Sequence, residues 1–392
     1  FDTLIIGGAV MGSSTAYWLS ENPDYDGNIV VIEPDPTYAQ SSTALSEASI
    51  RHQFSQPVNI KLSMFATEFF SNFHNHVEVN GEAPELPFHE TGYLFLATND
   101  GMGNLVDNYE IQKKCGAKVV LLSPSEIKKR FPYMRTDDLE GGSLGIKDEG
   151  TLDAFSLMQG LKLRARHNGV QYLNDRVISI NVDENKGLVR EVKLDSGEIL
   201  SCSRVVNCAG PRSRWIAEMV GLELPVEPRI RAAFVFDCRE VLDGQTLPLT
   251  IDPSGVHVRT DPPHFLAGAP PANDLEVDPD DFNVRSEEWE ENIWPVLANR
   301  IPAFEKIKVI SSWAGHYAYN TLDQNAILGT CETLPNFFFC NGFSGHGFQQ
   351  SPGVGRGLSE LITYGEYRSL DLTELNYSRV LKNEPFLEKA VI

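Results

Sequence analysis

The sequence predicts two domains of different class, one α/β and one α+β with a mainly antiparallel sheet, each built from separate pieces of chain. Three observations predict this. Residues 2–33 read as strand, glycine turn, helix and strand. Residues 225–321 read as mostly β, with many prolines. The chain then returns to α/β with the apolar run Phe337-Phe338-Phe339-Cys340, a glycine-rich loop and a helical pattern. The expected boundaries are 1–84, 149–222 and 321–392 for the first domain, and 85–148 and 223–320 for the second.

In order, residues 2–6 read as a strand, 10 to about 20 as a helix, and 29–32 as a buried strand ending at Glu33. The segment 41–51 is polar and small. Ile60, Leu62, Phe65, Phe69 and Phe73 then give a helix an apolar face. Composition shifts near 81–87, and strands follow at 92–97 and 117–122. Ser123-Pro124-Ser125-Glu126 is a capping box with proline at the first helical position. Residues 141–150 read as a connector. Asp153 is placed to cap a helix that stops at Asn168-Gly169. Short strands follow around 177–182, then a hairpin over 188–200 turned by Asp195-Ser196-Gly197. An acidic stretch lies near 274–291. Gly353, Gly355 and Gly357 fall two apart inside the last helix pattern and read as close-packing positions.

The first turn carries the chemistry. Gly7-Gly8-Ala9-Val10-Met11-Gly12 is G-x-G-x-x-G with alanine at the second glycine, after a strand and before a helix. Gly7 permits the tight turn, Ala9 lets the backbone approach a pyrophosphate, and Gly12 lets the helix pack on the sheet. The helix then offers free N–H groups and the positive end of its dipole. Glu33, with Pro34 after it, ends the second strand 21 residues past Gly12. An acid there accepts ribose hydroxyls and disfavours a 2′-phosphate. A Rossmann-like dinucleotide site follows. The motif alone does not choose between NAD and FAD.

Composition excludes other classes. The chain has 392 residues, 42% of them hydrophobic, enough for two packed domains. A formal net charge of −21 with no basic block argues against nucleic acid and anionic membranes as partners. No apolar run is long enough to span a bilayer. The first residues are already strand-like, so no leader is visible. Six scattered cysteines, with no Cys-x-x-Cys pair and no metal spacing, predict free thiols, no metal site and a cytoplasmic location.

The stretches "DTLIIGGAVMGSSTAYWL", "VVIEPD", "SRVVNCAGPRSRWIAEMVG" and "GFSGHGFQQSPGVGRGLSELI" resemble the D-amino-acid oxidase superfamily of flavoproteins, nearest its glycine and sarcosine oxidase branch. "LSEASIRHQFSQPVNIKLS" and "SSWAGHYAYNTLDQNAILG" most resemble the complex-I-assembly FAD oxidoreductases and their bacterial relatives. The resemblance implies FAD gripped from both ends. The N-terminal turn (Gly7, Gly8, Ala9, Val10, Met11, Gly12) would hold the pyrophosphate. The loop 342–349, with Gly342, Ser344, Gly345, His346, Gly347, Phe348 and Gln349, would run under the flavin ring, where side chains would hold the backbone away. Ser41, Ser42 and Thr43 would lie along the pyrophosphate and ring, Val177 would meet the adenine, and Ala209 and Gly210 would end a strand against the cofactor. The resemblance implies oxidation of the C–N bond of a small amine or amino acid, with hydride passing to flavin N5.

Departures from that pattern matter. Glycine oxidases carry an arginine shortly after Trp313-Ala314-Gly315, where this chain has His316 and Tyr317. No cysteine lies near His316 to bond FAD covalently, so non-covalent FAD is expected. Gln349 replaces a loop lysine. Arg51 matches the sarcosine-oxidase arginine that pairs with the substrate carboxylate. Arg259 is a candidate to face the pocket from the second domain, His257 shares its strand face, and Tyr317 and Tyr319 are candidate pocket walls. His346 should lie near the ring. The electron acceptor is O₂ or a redox carrier. No lysine occurs between Lys193 and Lys306, which favours the carrier. The competing readings are an FAD-bound assembly or scaffold protein, and an NAD dehydrogenase that leaves the C-terminal glycine loop unexplained.

Overall fold

The computed structural model describes residues 1–239 and 246–389. Two large sheets organise them. The first has six strands in the order Ile327–Cys331, Leu334–Asn341, Arg204–Asn207, Thr3–Ile6, Ile29–Glu33, Gln171–Asn174. All neighbours run parallel except the first two, which form a hairpin. The strands are near-continuous apolar runs because both faces are covered. Alternation divides them: Ile5, Val31 and Val206 face the helices, while Leu4, Ile6, Val30, Ile32 and Val205 face a core shared with the three-stranded sheet of Val177–Asp183, Leu188–Leu194 and Ile199–Ser201.

The helices Val10–Glu21, Pro57–Ser71, Ala154–His167 and Gly347–Tyr364 pack on the first of those faces. Asp153 caps its helix through the N–H groups of Phe155 and Ser156, and the Ser123 capping box forms. The glycines inside the last helix are packing positions, as expected. A Cβ on Gly355 would meet the Ser14 backbone at 2.8 Å, and one on Gly353 would meet Leu62 at 2.6 Å.

The second sheet has eight strands in the order Ile307–Asn320, Val226–Cys238, His264–Ala269, His257–Asp261, Leu249–Ile251, Tyr93–Ala97, Gly141–Gly145, Val119–Leu122. Most pairs are antiparallel; Leu249–Ile251 runs parallel to Tyr93–Ala97. The structure corrects the connector expected at 141–150. Gly141–Gly145 is a fully buried strand. Its glycines are there because a Cβ on Gly142 would meet the Phe95 carbonyl oxygen at 2.7 Å, and the Glu149 carboxyl fills the space beside Gly145. The mostly-β stretch also contains helical turns, Ser286–Glu288, Trp289–Ile293 and Trp294–Arg300, whose Trp289, Ile293 and Leu297 enter the core of this sheet. Their acidic residues hide the apolar spacing. The helix Asn99–Cys115 is likewise unmarked in sequence, with Gln112 its one buried residue. Among the described residues no helix is long and apolar enough to cross a membrane, and no disulfide forms.

Candidate functional site

A cavity of about 760 Å³ opens where the two sheets meet, within the range of about 300–1,000 Å³ usual for ligand sites. One end is made of backbone. Gly7 has φ +96°, and a Cβ there would meet the Cys208 carbonyl oxygen at 2.5 Å. A Cβ on Gly12 would lie 1.8 Å from the Gly7 carbonyl oxygen. Only glycine lets this turn and the helix behind it close. Glu33 accepts from the Gly8 N–H at 2.8 Å and from the Asp35 N–H at 2.9 Å, which fixes the turn. Burial pushes its carboxyl pKa up. The helix Val10–Glu21 has no side-chain cap from Ala9, although Thr43 Oγ1 accepts from the Val10 N–H at 3.2 Å.

The loop before the last helix forms the facing wall. Ser344 is left-handed at φ +49°, held by its N–H to the Ala318 carbonyl and by its hydroxyl, which accepts from the Asn320 N–H. Gly345 has φ +92°, and a Cβ there would strike the Tyr317 ring at 2.4 Å. The helix Gly347–Tyr364 also has no side-chain cap at its N-terminus. Two uncapped helix N-termini thus border one glycine-lined cavity, which suits a dinucleotide with an electron-accepting ring.

The chamber next to this loop is made of side chains. Arg51, 2% exposed, donates from Nη1 to Tyr93 Oη at 3.1 Å and from Nη2 to His346 Nε2 at 3.0 Å. Arginine has no acceptor, so His346 Nε2 accepts and the imidazole proton lies on Nδ1. Burial, and then the Arg51 charge, hold the His346 pKa well below its usual value, so the ring is neutral. The guanidinium stacks on Phe54 at 4.6 Å. Gln349 Oε1 accepts from the Arg51 N–H at 3.1 Å, and Ser63 Oγ donates to the Arg51 carbonyl at 2.6 Å. Behind it Glu149 accepts from the His52 N–H and from Gln53 Nε2, both at 2.8 Å. Burial pushes the Glu149 pKa up to about 8.

A strap of residues 270–282 closes the far side, with Pro270, Pro279, Asp280 and Phe282 in the cavity wall. Arginines fasten it. Arg231 grips both Asp274 carboxylate oxygens at 2.7 and 2.8 Å, Arg214 pairs with Glu276 and Arg212 with Asp280, each at 2.5 Å. His316 Nε2 donates to the Asp281 carbonyl at 2.7 Å and stacks on Phe282 at 4.4 Å.

The profile described as "FAD dependent oxidoreductase" matches residues 2–361. The chain belongs to this family. FAD is therefore its cofactor, and the uncapped helix ends and bare loop fit it. The chain is 37% identical to "FAD-dependent oxidoreductase domain-containing protein 1" of Xenopus laevis, covering 100% of this chain and 85% of that protein. It is 27% identical to "Sarcosine dehydrogenase, mitochondrial" of Mus musculus, over 96% of this chain and 42% of that protein. Among solved structures, L-proline dehydrogenase of P. horikoshii superposes with a TM-score of 0.85 at 25% identity, covering 98% of each chain.

For this FAD oxidoreductase, the cavity wall gathers Gly7, Ala9, Val10, Met11, Glu33, Pro34, Ser41, Ser42, Thr43, Val177, Ala209, Gly210, Ser344, Gly345, His346, Gly347, Phe348 and Gln349 with Arg51 and Tyr317. Gly8 and Gly12 lie behind the turn they close. Gly342, at φ +70°, packs against Asn320 and Val226 instead of the cavity. Arg259 also stands off the main cavity. It pairs with Asp261 at 2.7 Å and donates to the Glu47 carbonyl at 3.2 Å. Its strand neighbour His257 does reach the cavity, bound to Glu47. Tyr319 is turned away and lies under Arg229, 4.1 Å from its guanidinium. Glu47, Tyr93 and Arg231 line the cavity without a sequence signal. Each depends on a partner at least 42 residues distant.

Proposed function

We propose that this FAD-dependent oxidoreductase oxidises the C–N bond of a small amine or (N-methyl) amino acid. One observation carries the reading: a buried arginine, Arg51, is clamped in the cavity wall beside the glycine loop. Arginine suits a carboxylate because its planar fork meets both oxygens. Tyr93 and His346 fix the fork from the sides, and Gln349 and Ser63 fix the backbone beneath it. A neutral His346 adds no second charge beside the Arg51 guanidinium. Phe54, Tyr93 and Phe95 ring the Arg51 guanidinium and Tyr317 lines the cavity, and such apolar surroundings strengthen a charged contact. Bound FAD supplies the two-electron acceptor for hydride from the carbon next to nitrogen, and non-covalent attachment is the expectation.

We infer a redox carrier rather than O₂ as the final electron acceptor. No lysine is among the described residues that line the cavity. A reducing, cytoplasmic setting accords with cysteines that form no disulfide among the described residues.

Anaerobic addition of sarcosine, glycine, dimethylglycine or proline to the yellow protein tests the substrate reading. Bleaching with one of them supports it and identifies the substrate class. If dithionite bleaches the flavin and no amine does, the reading falls. The assembly or scaffold role then leads. That second reading has one structural feature in its favour: His316, at the position of the glycine-oxidase arginine, is committed to the strap.

A further inference from the structure

Glu47 takes no part in the proposed amine chemistry. It lies on the segment that joins the serine stretch 41–43 to the short strand Ser49–Ile50, four residues before Arg51. That segment is pinned from several sides. Trp313 Nε1 donates to the Leu45 carbonyl at 3.0 Å, and Arg259 Nη2 donates to the Glu47 carbonyl at 3.2 Å. Ala48 is held left-handed at φ +52°, a conformation costly for a residue with a Cβ. The result places a carboxylate in the cavity wall, where both its oxygens accept from His257 Nε2, at 2.9 and 3.1 Å. Burial raises the Glu47 pKa, but the neighbouring His257 and Arg259 outweigh it and hold it below the usual carboxylate value. The group is an anion.

Its position in the chamber follows from its neighbours. Tyr317 packs against Gly345 of the flavin loop, and Tyr93 donates no charge but contacts Arg51. The segment that carries Glu47 runs beside Tyr317: Leu45 packs on Gly315, and Ser42 Oγ donates to the His316 carbonyl at 2.7 Å. The other wall acids are placed differently. Glu33 and Asp35 belong to the turn at the pyrophosphate end, Asp175 stands beside Val177, and Asp280 is paired with Arg212 in the strap. Among the described wall acids, Glu47 is the one on the segment beside Tyr317 and the glycine loop.

We propose that Glu47, oriented by His257 and Arg259, is an electrostatic brake on the flavin: it disfavours added negative charge at the ring and so holds the flavin midpoint potential down. Reduction and anion addition both place negative charge on the ring, and a fixed negative charge nearby opposes both. His257 and Arg259 are positioning residues, since they act through Glu47.

Sulfite tests this without a substrate. It adds reversibly to oxidised flavin, places negative charge on the ring and bleaches it. Glu47→Gln should tighten sulfite binding by about tenfold, the scale of one unit charge across a partly screened cavity. It should also raise the midpoint potential of the flavin. Glu47→Asp, which keeps the charge, should stay near the parent protein. His257→Lys makes the chamber more positive by a second route, so the test survives if Glu47→Gln loses its flavin. Sulfite affinity within twofold of the parent in each folded, yellow variant would overturn the proposal. Because no amine enters the assay, this result is independent of whether the substrate reading holds.

Discussion

The two ends of the cavity are built by different means. One end is backbone: Gly7, Ala9 and Gly12 in one six-residue turn, with Glu33 tying it down. The chamber end is side chains from distant parts of the chain: Arg51 with His346, Glu47 with His257, Arg231 with Asp274. A site made of backbone must spell itself locally, because only glycine can occupy its crowded positions. A site made of side chains is specified by pairings across the fold. The first tolerates little substitution. The second can be retuned one pair at a time, which is where relatives on one fold would differ in substrate.

Substitutions at four positions would break or sharpen this contrast. The largest effect is expected at Gly12→Ala, whose Cβ would fall 1.8 Å from the Gly7 carbonyl oxygen. The purified protein should be colourless, as absorbance at the flavin band would show; a yellow, fully loaded protein would remove the backbone half of the comparison.

Arg51→Met comes next. It should remain yellow but lose amine-driven bleaching, with kcat/KM down by about a hundredfold or more, the usual cost of truncating a buried charged partner. Arg51→Lys should recover only part, since a point charge does not reproduce the fork. Normal turnover in the methionine variant would refute the assigned role.

Glu149 offers a pH signature. Its carboxyl titrates near 4.5 when unfolded and at about 8 when buried. A raised folded pKa means the folded state holds the proton more tightly. Its contribution to stability is complete below 4.5 and is lost as pH rises through 8. Melting temperatures should therefore fall over that window, and Glu149→Gln should flatten the slope even if it lowers the plateau. A slope unchanged in the variant would mean that other groups set it.

The smallest effect is expected at the strap. Glu276→Gln removes a partly exposed pair with Arg214, worth about 0–1 kcal/mol, and the loss should shrink further in high salt. A large, salt-independent loss would show that the strap is a buried structural element like Arg51's surroundings.

The same contrast explains what could be read in the sequence. The first strand-turn-helix-strand unit, the capping box at Ser123, the cap at Asp153 and the close-packed glycines of the last helix are local patterns with local causes, and they stand where expected. Gly141–Gly145 misled because glycines usually mark connectors, whereas here they let three backbones approach. Gly342 misled for a similar reason: its left-handed turn serves Asn320 and Val226. Arg259 was legible as a second-domain cation. Its orientation toward Asp261 and the Glu47 carbonyl depends on a loop 212 residues away, which no spacing rule reaches.

The strap has one further consequence. Arg212 and Arg214 stand on two successive helical elements, Gly210–Arg212 and Ser213–Glu218, Arg229 and Arg231 stand on the strand Val226–Cys238, and the strap acids they hold lie within a single short run. A closure held at several points gives way only when most of them let go together. Cofactor escape past it should therefore be governed by a rate rather than an equilibrium. Dilution alone would leave the protein yellow for long periods, while concentrated salt would hasten its fading.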